Sequence, residues 1–481
     1  MKGKLKRVMA LMLAGVMVLS MAACGGKGKE NNGGNSTNNP GNEDNKNPNG
    51  AGSNVDSDPL TDWILEEDTS ISGTVRWWMP FKDTQGMGDL IKAFNKVYPN
   101  IKVELTTYSN NTDGNLSVNT AIMAGQIDVL GSFGLANTYV RWENGLYMDI
   151  TDRLEKENID LVTNWGTNAY TFDDKVYSLP CGGISYYVAI NKTAWDEAGL
   201  GEIPTEWTWD EYLEACKKMT KTAADGTVEM YGGCDYRQKN MFTYPVYQVN
   251  GKDQYYNADG TTSLNSDLVI GALEREIKAE NEDKIWFPKK TIWADNLQTQ
   301  DVYTQKKSAT AITCNINRFL ADSENYPVDF VTAFAPYPVE KKGQTNYLAG
   351  VANYSHAGLC QRCADVDAAW AFLKWYSTYG SVYLVAAGHQ SAWKGTDSSQ
   401  IVDVAFGSEA EASKVIDVDS FTEVVGNISK PFYVDTNMTA YSEVDAIAVE
   451  YVMYALSGQM SAKEAMTTAA ELANKAIDAA K

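Results

Sequence analysis

The sequence predicts an α/β fold in two lobes. From residue 74 onward, stretches with an apolar period of two alternate with stretches of period near 3.6, the pattern of a mostly parallel sheet with right-handed helical crossovers. The foldable part of the chain, about 59–481, is too long for one ordinary hydrophobic core. No internal repeat accounts for that length.

The first 23 residues read as a secretory signal. Lys2, Lys4, Lys6 and Arg7 make a positive start, and residues 8–21 are uncharged and interrupted only by Gly15 and Ser20. The stretch is too short for a transmembrane span. Ala22 and Ala23 then precede Cys24, which resembles a bacterial lipobox, with Met21 where Leu is commoner. That resemblance implies cleavage before Cys24, acylation of its thiol, and anchoring at the extracellular face of the cell membrane by several acyl chains. An ordinary signal peptide with an incidental cysteine is the alternative. Residues 24–58 are Gly, Asn, Pro and charge, with Val55 the one branched aliphatic residue. They bury too little apolar surface to offset ordering entropy, so they are expected to be a flexible tether.

The body then opens as strand, helix, strand, helix, strand. Residues 74–79 form the first strand. Leu90, Ile91, Phe94, Val97 and Tyr98 make one stripe of a helix that Pro99-Asn100 stops. Residues 101–108 alternate, about 115–124 are helical up to Gly125, and 127–130 form the third strand. In the middle, 176–180, the Gly182-Gly183 pair and the apolar run 184–191 precede a short helix, 192–198, closed by Gly199. Thr208 is an N-cap with Glu211 as its capping-box partner, and Trp209, Tyr212, Leu213 and Cys216 form the stripe that follows. Residues 308–313 are a short strand, 365 to about 378 a helix centred on Phe372, Leu373 and Tyr376, and 441–481 are largely helical.

Composition narrows the function. Without residues 1–23 the net charge is −25, from 37 basic and 62 acidic residues. So acidic a chain is a poor partner for nucleic acid or for anionic lipid, and contact with a membrane is expected through the anchor only. Thirteen Trp and 27 Tyr are many for its size, and aromatic excess in an acidic secreted protein often marks sugar contact. Six cysteines besides Cys24 permit disulfides and dictate none. His356, Cys360 and Cys363 have suggestive spacing, but no fourth zinc ligand is found, so neither metal nor cofactor is expected.

Four stretches, GLYMDITDRL (145–154), VYSLPCGGISYYVAINKTAWDEAGL (176–200), PTEWTWDEYLEACKKMT (204–220) and ADVDAAWAFLKWYSTYG (364–380), resemble in order and spacing the extracellular solute-binding proteins of the maltose-binding type. The resemblance runs from about Gly73 to beyond Trp393. It implies a periplasmic-binding-protein-like fold, with hinge strands between lobes and a ligand cleft where they meet. Lobe 1 would hold 59–184 and 328–377, and lobe 2 would hold 185–327 and 378–481. It implies a monomeric lipoprotein that captures a carbohydrate, an oligosaccharide above all, and delivers it to ABC transporter permease subunits.

Sugars offer flat C–H faces and rings of hydroxyls, which call for aromatic platforms and for amides or carboxylates. Cleft positions of the family fall here on Trp78, Phe81, Phe133, Asn137, Asn353 and Tyr354 from lobe 1, and on Ser185, Tyr186, Asp235, Tyr236, Arg237, Asn315, Asn317 and Trp393 from lobe 2. Trp77 and Trp78 adjoin on a strand, as do Tyr186 and Tyr187, so one of each pair points into the core. Asp235 and Arg237 can equally pair with each other. Trp195, Trp207, Trp209 and Trp370 read as packing residues. A secreted glycosidase would need two carboxylates across the scissile bond, and no segment supplies a recognisable pair. No G-x-S-x-G elbow occurs either, so an enzyme is not expected. The same fold could instead take iron, a polyamine, a peptide or a polyol phosphate, although Arg237 and Lys82 are the only cations expected at the cleft. An adhesin or sensor role stays open.

Overall fold

The computed structural model describes residues 68–481; the signal, Cys24 and the tether lie outside the described residues. Strand β1 (Gly73–Met79) turns Val75, Trp77 and Met79 inward. It pairs in parallel with β2 (Ile101–Thr107) and β3 (Val129–Phe133). Helix α1 (Gly88–Val97) buries Leu90, Phe94 and Val97. Helix α2 (Thr112–Met123) starts earlier than its periodicity suggests, because the Asn111 side chain accepts the Gly114 N–H and caps it. The third strand is likewise displaced from 127–130. Asp128 stays before it, accepting hydrogen bonds from the Arg76 backbone and guanidinium and from the Ala364 N–H. Burial pushes that carboxyl up, but these donors outweigh it and hold it below its ordinary range. Helix α3 (Leu135–Glu143) follows.

Strand β4 (Leu179–Ile184) joins the large sheet, whose order is β11-β4-β10-β3-β1-β2, with β10 at Ala352–Leu359 and β11 at Gln390–Ser391. The chain then leaves it, and β5 (Tyr187–Asn191) is the centre of a second sheet, flanked by β8 (Thr310–Thr313) and β9 (Thr332–Pro336). Helix α4 (Trp209–Met219) carries the expected Thr208/Glu211 capping box. A small ribbon, β6 (Lys221–Thr222) with β7 (Val228–Met230), and helix α5 (Asp267–Ile277) come next. Strand β8 (Thr310–Thr313) leads into the single turn α6 (Asn317–Leu320). Strand β9 (Thr332–Pro336) lies antiparallel to β5, whereas β10 (Ala352–Leu359) returns to the large sheet, antiparallel to both β3 and β4. Helix α7 (Val366–Ser377), capped by Asp365, runs into a 3-10 stretch, Tyr379–Ala387, and β11 (Gln390–Ser391) closes the large sheet edge. Helices α8 (Tyr441–Leu456) and α9 (Ala462–Ala480) form a terminal pair packed on α5.

Strand periodicity distributes the cores. In β5, Tyr187 and Ala189 join the core shared with the large sheet, while Val188 and Ile190 join the one containing Trp195, Trp207, Trp209 and Tyr212. Trp77 is fully buried, its ring 5.1 Å from Phe372 and 5.0 Å from Tyr376 of α7. Trp370 is buried too, its indole N–H donating to Glu157.

The passage from β4 to β5 is tight. A Cβ on Gly183 would stand 1.8 Å from the Ala352 carbonyl oxygen, and one on Gly182 would stand 2.9 Å from that of Gln390. Only glycine lets the three strands approach this closely. Gly183→Ala should therefore destabilise the protein by about 1–3 kcal/mol or more through forced strand separation, read by urea unfolding. Unchanged stability would contradict the strand packing.

Candidate functional site

In open α/β sheets ligands collect beyond the carboxyl ends of parallel strands, and here those ends carry aromatic rings. Phe81 follows β1 and Phe133 ends β3; their rings meet edge to face at 4.7 Å. His389, between Gly388 and β11, lies 5.1 Å from both. Tyr354 of β10 is 6.2 Å from His389. Tyr186 occupies the passage between β4 and β5, with Tyr244 at 5.1 Å and Tyr236 at 6.2 Å. Its hydroxyl meets that of Tyr244 at 3.0 Å, and Gln238 Oε1 accepts from both. Tyr354 packs against the cluster that holds Tyr186 and lies near His389, so it links the two groups of rings.

Amides complete the wall. Gln390 Nε2 donates to the Ser185 hydroxyl at 3.0 Å while its Oε1 accepts the Ser185 N–H at 3.3 Å. Asn315 is half-buried just past β8. The structure thus brings together Phe81, Phe133, Ser185, Tyr186, Tyr236, Asn315 and Tyr354.

The other candidates have different surroundings. Trp78 is half-buried against the cluster of Tyr108, Trp142 and Tyr147, and Asn137 is half-buried on α3. Asp235 is buried and ion-paired at 2.5 Å with Lys289, not with Arg237. Lys289 also reaches Glu276 at 2.7 Å. The Arg237 N–H donates to Thr299 and its guanidinium to Gln298. Asn317 donates to the Val385 carbonyl and Asn353 to that of Trp165, each at 2.7 Å. Trp393 is half-buried, its ring 4.6 Å from Tyr379 and its N–H donating to Asn164 at 2.9 Å. Tyr187 is fully buried, its hydroxyl accepting the Ile316 N–H.

Sequence reasoning missed His389, Gln390, Gln238 and Arg318. A usable signal existed for two: His389 is one of only two histidines and sits beside a glycine, and Arg318 is the first cation after a strand end.

Among the described residues no cluster of His, Cys, Asp and Glu is placed to hold a metal, and all six described cysteines are free. Both His356 nitrogens have partners, Ser178 Oγ at 3.2 Å and the Asn353 carbonyl at 2.9 Å. Burial drives that imidazole down to about 4, against the opposing pull of the Asn353 bond. Burial first, and the Arg318 charge second, bring His389 down to about 3. Both rings are neutral at pH 7.

A sequence profile of the bacterial extracellular solute-binding protein family matches residues 80–382, more than half of the chain. The chain belongs to that family.

Among curated relatives it is similar to the multiple sugar-binding protein of Streptococcus mutans, 28% identical over 145 residues, covering 29% of this chain and 32% of that protein. It is also similar to the arabinooligosaccharide-binding protein of Bacillus subtilis, 25% identical over 207 residues, covering 42% of this chain and 45% of the relative. The matches thus span less than half the length of these relatives. Among solved structures, the ABC substrate-binding protein of Listeria monocytogenes in complex with cycloalternan has a TM-score of 0.64 at 18% identity, covering 85% of this chain and 99% of that one. The fold is the two-lobed α/β fold of periplasmic binding proteins. Among its described residues this solute-binding protein has no helix long and apolar enough to cross a membrane.

The buried imidazoles make the solute-binding protein acid-sensitive. His356 titrates well below its ordinary 6.5 when folded, so the unfolded chain takes up the proton first as pH falls. The stability from keeping it neutral is complete above about pH 6.5 and is lost toward pH 4. Between pH 7 and 5 that loss is about 2 kcal/mol. His356→Gln should flatten the fall by this amount in urea unfolding at pH 7, 6 and 5; a variant with the parent's slope would contradict the buried neutral ring.

Proposed function

We propose that this protein is the external capture subunit of an ABC importer, taking a carbohydrate, above all an oligosaccharide, between its lobes and delivering it to the permease. One observation carries the reading: two aromatic walls, Phe81, Phe133 and His389 against Tyr186 and Tyr236, meet at the strand ends with amides between them. A pyranose face stacked on one such ring buries on the order of 100 Å2, a few kcal/mol at ~25 cal/mol/Å2. Two platforms with hydrogen bonds support micromolar binding, about −8 kcal/mol. The printed names of the relatives agree, one binding multiple sugars, one arabinooligosaccharides, and one bound to cycloalternan.

Within this reading we assign one lobe to each sheet. Strand β9 then belongs with the small sheet and β11 with the large one, which moves two of the boundaries that the resemblance implied. The chain crosses at Ser185, between β9 and β10, and after β11. A solute touching both walls binds the closed arrangement better and shifts the population toward it by that difference. The segment ahead of residue 68 supplies the anchor at Cys24 and the tether, and holds a monomer at the outer membrane face.

The test is calorimetric titration of the purified protein with oligosaccharides found by a thermal-shift screen. Micromolar binding, a smaller radius in solution scattering and recovery of the sugar intact are expected. Bond cleavage at a catalytic rate, or affinity for iron, polyamines or polyol phosphates in place of sugars, would overturn the reading. Cys24→Ser should release the protein from membranes or leave an uncleaved precursor, scored by fractionation; normal processing with membrane retention would contradict the anchor.

A further inference from the structure

Arg318 is the cation that the cleft wall does not neutralise. It follows β8 on the one-turn helix α6, which Asn317 pins to the Val385 carbonyl of the 3-10 stretch. A Cβ on Gly388 would stand 3.2 Å from Arg318 Cδ, so the side chain crosses from the small sheet to the Gly388–His389 turn at the edge of the large one. Its guanidinium lies 4.4 Å over the Phe319 ring, and its buried Nε has no hydrogen-bond partner. Among the described residues it forms no ion pair.

Four titratable groups that feel this charge, Tyr236, Tyr354, Cys314 and His389, are neutral at pH 7. Burial pushes the phenols of Tyr236 and Tyr354 up and the Cys314 thiol to about 12, and Arg318 acts on each of them. His389 is neutral as well, and its buried Nδ1 has no partner. Other interior arginines differ. Arg76 is paired with Asp128 and Arg275 with Glu340. Arg141, fully buried, donates to Asn119, Ser132 and Asn115. Arg318 is half-buried, and a cation set among aromatic rings with no carboxylate beside it is available to an arriving anion. Arg141 and Arg237 also lack a carboxylate, but each donates to side-chain oxygens, whereas the buried Nε of Arg318 has no partner.

We propose that the captured solute carries a carboxylate and that Arg318 receives it, which makes the ligand a uronic-acid-bearing oligosaccharide. The inference rests on the saccharide reading above. The guanidinium fork matches a carboxylate in a bidentate fashion, and the unpartnered His389 nitrogen is placed to engage a neighbouring hydroxyl. One cation suits a monoanion; a phosphate dianion would call for several. The aromatic rings around it supply stacking for the sugar faces and lower the local dielectric, which strengthens the charge pair.

The test uses matched saccharide pairs that differ in the acid group: tetragalacturonate against galactotetraose, and glucuronic-acid-substituted xylotetraose against xylotetraose. Calorimetry on the intact protein should show at least one uronate bound tenfold or more tighter than its neutral partner, with affinity falling as salt rises. Arg318→Gln should erase that preference by lowering the uronate's affinity tenfold or more, while Arg318→Lys retains part of it. Neutral members bound as tightly as their acidic partners would overturn this inference and leave saccharide capture standing. Binding of screened oligosaccharides but of no uronate would overturn this inference alone; binding of no oligosaccharide at all would overturn saccharide capture and this inference with it.

Discussion

The contact on which the rest of the structure depends is the passage of the chain from Gly182 to Tyr186 between the two sheets. Gly183 lies against the Ala352 carbonyl of β10 and pairs with Gln390 of β11, so three backbones meet with no room for a side chain. Backbone groups buried here satisfy one another, and Ser185 and Gln390 exchange the hydrogen bonds that the strands leave over. Because β4 and β5 are buried along their whole length, the second sheet inherits its position from the first. Tyr186 is carried to the junction by the same few residues. The aromatic walls follow from packing of the backbone.

Charge is arranged around that junction with economy. Asp235, beside Tyr236, is tied to Lys289, which in turn holds Glu276, and the Lys289 N–H donates to Glu280. Burial works against the Lys289 ammonium, but Asp235 and Glu276 outweigh it and keep it charged. Glu280, buried beside Glu276, is pushed up to about 8. Such a cluster adds little net stability, since desolvation offsets attraction, but it fixes the loop that presents Tyr236. The candidate Asp235 thus holds the wall in place from behind. The same economy leaves the wall itself neutral, apart from Arg318.

Much of the fold was legible in the sequence. The stripe of Leu90, Phe94 and Val97 and the Thr208/Glu211 box are local signals, and each became the element expected. The starts of α2 and β3 were not legible from periodicity, because Asn111 and Asp128 set them through side-chain hydrogen bonds. Nor was β11, two residues long and recognised by its partner strand alone. At the cleft, aromatic residues at strand ends could be named, but the alternation at Trp77–Trp78 needed Phe372 and Tyr376 to resolve it. Asn317, Asn353 and Trp393 look like free polar or aromatic groups in a one-dimensional reading. Their partners, Val385, Trp165 and Asn164, are remote in sequence, and sequence periodicity carries no information about them.

On the proposed reading, solute is held where the two aromatic walls meet. Hydrogen exchange with and without bound saccharide tests it most directly, because slowed amides report which backbone closes over the ligand. Protection should appear together at 79–81, 131–134, 184–187, 234–238 and 387–390, on both sides of the junction. Protection confined to one lobe, or to the surface pocket around Trp393 and Asp397 with none at the junction, would contradict it.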